Sequence, residues 1–280
     1  MELAKHADRL RARGYGVCSV SYDPVDVLRE FADRRGIMYP MLSDPDSAMI
    51  RVFGLLNEEI EPGTRDYGVP HPAIFFVARS GRVIRKYMEE RYYHRRTLAT
   101  ILADDGEPAD LQTVWEVNGE QVAIRALTLQ REVYPGNRLV LMVDVEPRPG
   151  LHVYAPGAGA EYRPLTLRVH PQPYLTVDEP GSPPPDGTWT SPLEEEVPVY
   201  TRRTRIRVEV ALGTRQELKP VYDAGGMLEV TGILAFQACS ETVCWVPQEV
   251  AVTWTLTLRP PDLERPPEPL RRERLMQRDG

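Results

Sequence analysis

The amino-acid sequence predicts two domains, an α/β domain followed by an all-β domain. The chain has 280 residues, which is long for one hydrophobic core and sufficient for two. Only six of its 27 prolines precede residue 108. Helical and strand-like patterns alternate before that point, whereas β runs between Pro/Gly-rich turns follow it. We therefore place the interdomain linker at Asp104–Pro108.

The first predicted domain, residues 1–106, alternates helices with short strands. Asp23-Pro24 provides a helix start and Gly36 a stop, and Arg79-Ser80-Gly81 forms the turn of a hairpin. Cys18 falls in an apolar strand run, so we expect a buried, unreactive thiol. The order of elements is typical of a thioredoxin-like α/β domain. We expect helices at 2–13, 24–35, 43–53 and 97–103, and strands at 17–22, 38–42, 74–78 and 82–87.

The second predicted domain, residues 111–260, has no convincing helical period. Its apolar runs are short and rich in β-branched residues, and turns rich in Pro and Gly separate them. Six such strands indicate a β-sandwich. Residues 261–280 are charged and rich in Pro, which predicts a disordered tail. We expect strands at 121–131, 138–146, 165–169, 204–212, 227–238 and 249–258.

Two cysteines, Cys239 and Cys244, are separated by four residues in the second domain. If their flanks pair as a hairpin, the two residues face each other at a distance that suits a disulfide. A disulfide that only closed this loop would stabilise the fold by about 2 kcal/mol, which a domain with its own core does not need. Thiol–disulfide exchange is therefore favoured, while a purely structural disulfide or two idle thiols are the alternatives.

The loop between these cysteines contains Glu241 and no Lys, Arg or His. Without a nearby positive charge the thiols are weakly activated, so exchange is expected to depend on a docked redox protein.

Bulk composition argues against several classes of protein. A formal net charge of -7 disfavours nucleic-acid binding. Three cysteines and five scattered histidines offer no zinc cluster, and we expect neither a metal nor another cofactor. No segment approaches the ~18 apolar residues that span a membrane. Residues 1–14 lack the apolar centre of a signal peptide, which predicts a cytoplasmic protein if the start is taken literally.

Residues 1–103 resemble the AhpC/TSA branch of the thioredoxin superfamily. The matching segments are 20–23, 31–37, 39–45 and 72–83. The resemblance implies a nucleophilic cysteine at the start of the first helix, after a central strand, but here the first helix begins at Met1 and no residue can take that role. A strand and cysteine upstream of Met1, or a strand from a partner, would complete the domain, and a truncated start would allow a periplasmic or other extracytoplasmic location. Pro72 matches a position that is usually a cis-proline beside the active site, so we expect a cis bond.

Residues 112–258 resemble the N-terminal periplasmic domain of the thiol:disulfide interchange protein DsbD. The pattern Gln-Ala-Cys at 237–239, Cys244 and Pro-Gln-Glu at 247–249 carries the resemblance, with 150–156 and 197–200. It implies an immunoglobulin-like sandwich whose Cys239/Cys244 pair passes electrons to partner oxidoreductases. A cap loop shields the pair in that family, and Trp189–Glu195 corresponds in position. Tyr154 is expected near the cysteines or as an ordinary core or edge residue, and Trp245 adjoins Cys244 directly.

Three functions remain as hypotheses. The first is thiol–disulfide exchange through Cys239 and Cys244 with a thioredoxin-like or other thiol–disulfide oxidoreductase as partner. The second is a peroxiredoxin-type peroxidase whose catalytic cysteine lies upstream of Met1. The third is a non-enzymatic β-sandwich that serves as a docking module.

Overall fold

The structure is a computed structural model that describes residues 2–64, 67–89, 93–104, 111–191, 194–261, 263–264 and 267–270. These residues divide into two units. The first contains the described part of 1–98 and 262–280, and the second contains that of 99–261. The first unit mixes helices and strands and the second is rich in β-strands, as the sequence predicts. Most of the predicted linker, and residues 262, 265–266 and 271–280 of the predicted tail, lie outside the described residues.

Helices and strands are each numbered in chain order. The helices are α1 Glu2–Ala12, α2 Val25–Arg35, α3 Ala48–Val52, α4 Leu98–Asp104 and α5 Lys219–Asp223. The strands are β1 Ser19–Ser21, β2 Met41–Ser43, β3 Ala73–Val77, β4 Val83–Met88, β5 Arg95–Arg96, β6 Gln112–Asn118, β7 Val122–Thr128, β8 Glu132–Val133, β9 Asn137–Pro147, β10 His152–Tyr154, β11 Thr166–Val169, β12 Leu175–Val177, β13 Gly187–Thr190, β14 Glu196–Tyr200, β15 Thr204–Leu212, β16 Met227–Phe236, β17 Ala238–Cys239 and β18 Gln248–Leu258.

The first unit holds two small sheets. Strands β1 and β2 are parallel, and β3 and β4 form the predicted antiparallel hairpin. Gly36 ends α2 in the left-handed region, at φ 60°, which agrees with its predicted role as a stop. The buried Asp44 carboxylate accepts hydrogen bonds from the amides of Ala48 and Ile50, both at 2.9 Å. This cap lets α3 begin later than the sequence predicts.

The expectation of a buried Cys18 is wrong. Cys18 is exposed and precedes β1, which has only three residues. Val20, in the middle of β1, is 49 % exposed. Within the described part of the chain only β2 pairs with β1, so this apolar run lacks the neighbours that would bury it.

The expectation of a cis bond before Pro72 is also wrong, because the peptide bond is trans. The chain around Pro72 is held in place from both sides. The amide of His71 donates to the carbonyl of Leu55 at 2.7 Å, and the carbonyl of Pro72 accepts from the amide of Glu89 at 3.4 Å. The chain passes directly into β3 without the tight turn in which cis-proline is usually found.

The second unit contains three open sheets. The first has the strand order β12-β15-β9-β7-β6, the second β11-β16-β18-β8 and the third β13-β14-β10-β17. Alternate residues of β7, β9 and β15 join those of β11, β16 and β18 in one buried apolar cluster. Burial of this shared core is the dominant favourable contribution to the folding of the unit.

Trp254 ties two of these sheets together. It lies on β18 and is fully buried, and its indole Nε1 donates to the carbonyl of Met142 on β9 at 3.0 Å.

Helix α5 was not predicted. It has five residues, fewer than are needed to show a helical period, and Pro220 lies at its N-terminus, where proline is tolerated.

Gly232 provides a test of how closely β16 and β11 approach. A Cβ at this position would lie 2.8 Å from the carbonyl oxygen of Arg168 and 3.3 Å from the Cα of Val169. We expect Gly232→Ala to lower the free energy of unfolding by about 1–3 kcal/mol, because the backbone of β11 must move. Urea denaturation followed by tryptophan fluorescence measures this, since all four tryptophans lie in the second unit.

Gly181→Ala is the matched control in the same unit. The nearest atom to its added Cβ is the carbonyl oxygen of Arg207 at 3.9 Å, an ordinary contact. We expect a change within about 0.5 kcal/mol. Equal effects of the two substitutions would contradict the close approach at Gly232.

Candidate functional site

The two cysteines of the second unit lie at the end of a long antiparallel hairpin. Strands β16 and β18 pair along their whole length, to Phe236 opposite Gln248. Beyond that pair, Cys239 and Cys244 lie opposite each other with Cα atoms 4.1 Å apart, and their Sγ atoms form a disulfide. The structure thus places the pair as the sequence predicts, facing each other across the strand ends.

Backbone hydrogen bonds hold the turn that carries the disulfide. The amide of Trp245 donates to the carbonyl of Ala238 at 3.0 Å, and the amide of Ser240 donates to the carbonyl of Val243 at 2.8 Å. Cys239 also belongs to β17, which pairs with β10. Cys239 is therefore anchored in a sheet, while Cys244 lies just after the turn, in the isolated bridge to Cys239.

The two cysteines differ in exposure. Cys239 is fully buried, whereas Cys244 is exposed. Val243 and Val246, on either side of Cys244, are 52 % and 79 % exposed. The exposed member of the disulfide is therefore Cys244, and exposed apolar side chains lie on either side of it.

Strand β10 delivers two further side chains to the disulfide. Its register places His152 directly opposite Cys239. Because side chains alternate along a strand, His152 and Tyr154 lie on the same face of the sheet as Cys239, and Val153 lies on the other. Val153 belongs to the main core, whereas Tyr154 and Cys239 belong to a separate small cluster.

The Tyr154 hydroxyl contacts both sulfurs, at 3.1 Å from Sγ of Cys239 and 3.4 Å from Sγ of Cys244. A disulfide sulfur carries no hydrogen, so the hydroxyl is the donor. Tyr154 is fully buried, and burial, with a smaller contribution from Tyr162, raises its pKa to about 12. The hydroxyl therefore keeps its proton at neutral pH and remains a donor toward the sulfurs.

Aromatic rings surround Tyr154. Its ring centroid lies 4.6 Å from that of Tyr162 and 6.1 Å from that of Trp189. The Trp189 ring also lies 5.4 Å from the ring of His152. These rings make the surroundings of the buried sulfur apolar, which strengthens any hydrogen bond formed there.

His152 has an unusual environment for a polar side chain. It is 6 % exposed, and its Nε2 atom is buried without a hydrogen-bond partner. Burial lowers the pKa of His152 below its ordinary value. Burial thus favours the neutral imidazole over the charged one while the disulfide is intact.

The structure brings together four of the residues that sequence analysis selected, namely Cys239, Cys244, Tyr154 and Trp189. The side chain of Trp245 packs against the main core instead. Pro72 belongs to the first unit. Within the proposed cap Trp189–Glu195, residues 192–193 lie outside the described part of the chain.

Sequence analysis missed His152 and Tyr162. The alternating pattern His-Val-Tyr at 152–154 could have indicated His152, because residues two apart on a strand share a face.

Two kinds of site are not found among the described residues. They contain no cluster of three or more His, Cys, Asp or Glu side chains that could bind a metal ion. None of the helices within the described ranges has the length and apolar character needed to cross a membrane.

Tyr154→Phe tests the hydroxyl contact. In the reduced protein we expect the pH midpoint of thiolate formation to rise by about one unit, because a hydrogen bond to a charged sulfur contributes about 1.5–3 kcal/mol. The ultraviolet absorbance of the thiolate during a pH titration measures this midpoint. Tyr162→Phe is the control, because the ring contact stays and the hydroxyl removed is not the one that contacts sulfur. Equal midpoints in wild type and Tyr154→Phe would refute the role of the hydroxyl.

Comparison with solved structures returns remote similarities. The N-terminal periplasmic domain of ScsB from Proteus mirabilis aligns with a TM-score of 0.33 and 11 % identity, over 51 % of this chain and 50 % of that one. The chain thus spans half the length of that structure. A second structure, "AvmM Catalyzes Macrocyclization in Alchivemycin A Biosynthesis", aligns with a TM-score of 0.21 and 12 % identity, over 52 % of this chain and 94 % of that one.

Comparison of sequences gives one match to a family. No curated protein matches the chain. Residues 1–86 match the model of the AhpC/TSA family, which confirms over that stretch the resemblance predicted for the first domain.

Proposed function

We propose that this chain is a thiol–disulfide exchange protein and that Cys239 and Cys244 are its exchanging pair. The observation that carries the proposal is the unequal exposure of the two cysteines within one disulfide. A purely structural disulfide has no need of an accessible side. An exchanging one needs an accessible sulfur for attack and a second sulfur that can leave.

The geometry assigns different roles to the two cysteines. A partner thiolate attacks Sγ of Cys244, the S–S bond breaks, and Cys239 leaves with the electron pair as a thiolate. The Tyr154 hydroxyl, 3.1 Å from Sγ of Cys239, then donates a hydrogen bond to that charge. A second partner thiol resolves the mixed disulfide and releases Cys244, so that the pair gains two electrons and the partner loses two.

A protein dithiol is the partner that fits this site. The loop between the cysteines contains no positive charge to activate a thiol, so small thiols are expected to react slowly. The exposed Val243 and Val246 offer apolar surface beside the reactive sulfur, which a docked protein can cover and glutathione cannot. We therefore propose a thioredoxin-like or other thiol–disulfide oxidoreductase as the partner.

We extend the proposal to the folds of the two domains and to the cellular compartment of the protein. The core shared by two sheets supports an immunoglobulin-like sandwich at residues 111–260, following a thioredoxin-like domain at 1–106. The resemblance of 112–258 to the DsbD domain supports the same assignment. A disulfide that persists fits an oxidising compartment more naturally than the cytosol, so we propose an extracytoplasmic location.

Redox titration tests whether the pair exchanges at all. We expect Cys239 and Cys244 to titrate together in glutathione buffers, within the span of about -180 to -320 mV of known exchange partners and cellular poises. Thiol trapping followed by intact mass measures the reduced fraction, and Cys18 serves as the internal reference for a thiol outside the pair. A disulfide that survives the most reducing buffer would indicate a structural role and favour the docking-module hypothesis.

Two single substitutions test the assignment of roles. We expect Cys239→Ser, which leaves the exposed Cys244 thiol, to form a mixed disulfide at least about tenfold faster than Cys244→Ser, because access to a thiol limits its rate. The reaction partner is a thioredoxin whose second cysteine is replaced by serine and whose remaining cysteine is activated as a thionitrobenzoate disulfide, so that thionitrobenzoate leaves and the mixed disulfide persists. Each variant also carries Cys18→Ser, so that no other thiol reacts. Non-reducing electrophoresis over time measures the product. Equal rates, or the reverse order, would contradict the assigned roles.

A further inference from the structure

The unpartnered nitrogen of His152 lies beside the proposed exchanging pair. A buried polar atom without a hydrogen bond costs free energy, and each such atom in a folded protein needs an explanation. His152 is only 6 % exposed, and its Nε2 atom has no hydrogen-bond partner among the described residues. Reduction of the neighbouring disulfide would create such a partner, because it leaves a titratable thiol at Cys239.

Three residues within the described ranges flank His152. Tyr154 contacts it from the same strand with ring centroids 5.6 Å apart, Trp189 contacts it from β13, and Cys239 lies opposite it on β17. Trp189 does not titrate, and Tyr154 remains protonated because its pKa is about 12. Burial alone accounts for the lowered pKa of His152, with no contribution from a charged neighbour. Cys239 is therefore the group whose charge can change beside the imidazole.

We propose that His152 takes up a proton when the Cys239–Cys244 disulfide is reduced, and that it then forms an imidazolium–thiolate pair with Cys239. The inference rests on the proposed exchange function. It assigns His152 as a positioning residue that acts through Cys239, and it gives the unpartnered Nε2 atom a partner in the reduced state.

The protons and electrons of this step balance. The disulfide accepts two electrons from the partner dithiol, whose two thiols release two protons as its own disulfide forms. One of these protons stays on Cys244 as a thiol, and the other is held by His152 while Cys239 carries the negative charge. A thiolate opposite the imidazole favours the charged form of the ring, which offsets the effect of burial. The Tyr154 hydroxyl stabilises the same thiolate.

The sheet supports this pairing geometrically. Residues directly opposite each other on antiparallel strands have neighbouring side chains on one face, within reach of a histidine. The pairing of β10 with β17 fixes this relation for His152 and Cys239. Cys239 is fully buried and His152 nearly so, and opposite charges attract more strongly in such a low-dielectric environment than at the surface.

Nuclear magnetic resonance titration of the histidines tests the inference in the full-length wild-type protein. The protein is compared oxidised and after reduction by a phosphine, so that no exchange partner is required. We expect the pKa of His152 to rise by at least about one unit on reduction, a tenfold change in its protonation equilibrium. The ring resonances of His170, whose Nδ1 atom lies 3.1 Å from the Thr231 hydroxyl, are the control and should not change on reduction. The same pKa for His152 in both states would overturn the inference.

His152→Phe gives a second readout and keeps an aromatic ring between Tyr154 and Trp189. We expect the thiolate absorbance of the reduced variant to appear at a pH at least about one unit higher than in wild type, because the counter-charge is lost. An unchanged midpoint would contradict the pairing. Redox titration of the same samples separates the two proposals, since a pair that exchanges without a shift at His152 refutes only this inference. A pair that never exchanges refutes the proposed function.

Discussion

Three residues of β10 divide their side chains between the two faces of one sheet, and the site depends on that alternation. Val153 faces the main core, which fixes the strand in place. His152 and Tyr154 must then face the other side, where the disulfide lies. A slip of one residue in the pairing would turn both away from the sulfurs and bury them in an apolar core. The packing energy of the core thus sets the geometry of the chemistry.

The same constraint explains the inequality of the two cysteines. Cys239 is a member of β17 and shares the burial of its sheet, whereas Cys244 lies outside the named strands, just after the turn. The disulfide therefore joins a cysteine that is buried among apolar side chains to a cysteine that is exposed to solvent. Chemical asymmetry arises here from the position of each residue relative to a strand end, without any charged group in the loop.

Features that depend on residues close together in the chain could be predicted from the sequence. The spacing of Cys239 and Cys244 and the strands on either side were sufficient to predict a facing pair, because a hairpin relates residues that are close in the chain. The exposure of Cys18 and the trans bond before Pro72 could not be obtained in this way, since both depend on neighbours from distant segments. The role of His152 required the register of β10 against β17, which joins residues far apart in the sequence.

The position of Trp189 has an optical consequence. Its indole ring lies 6.1 Å from the ring of Tyr154, whose hydroxyl contacts both sulfurs. Disulfides quench the excited state of a nearby indole by accepting an electron, and thiols do so less well. Trp189 therefore lies within the aromatic cluster around the disulfide, and Trp245 follows Cys244 in the chain, so reduction of the disulfide should raise the tryptophan emission of the molecule.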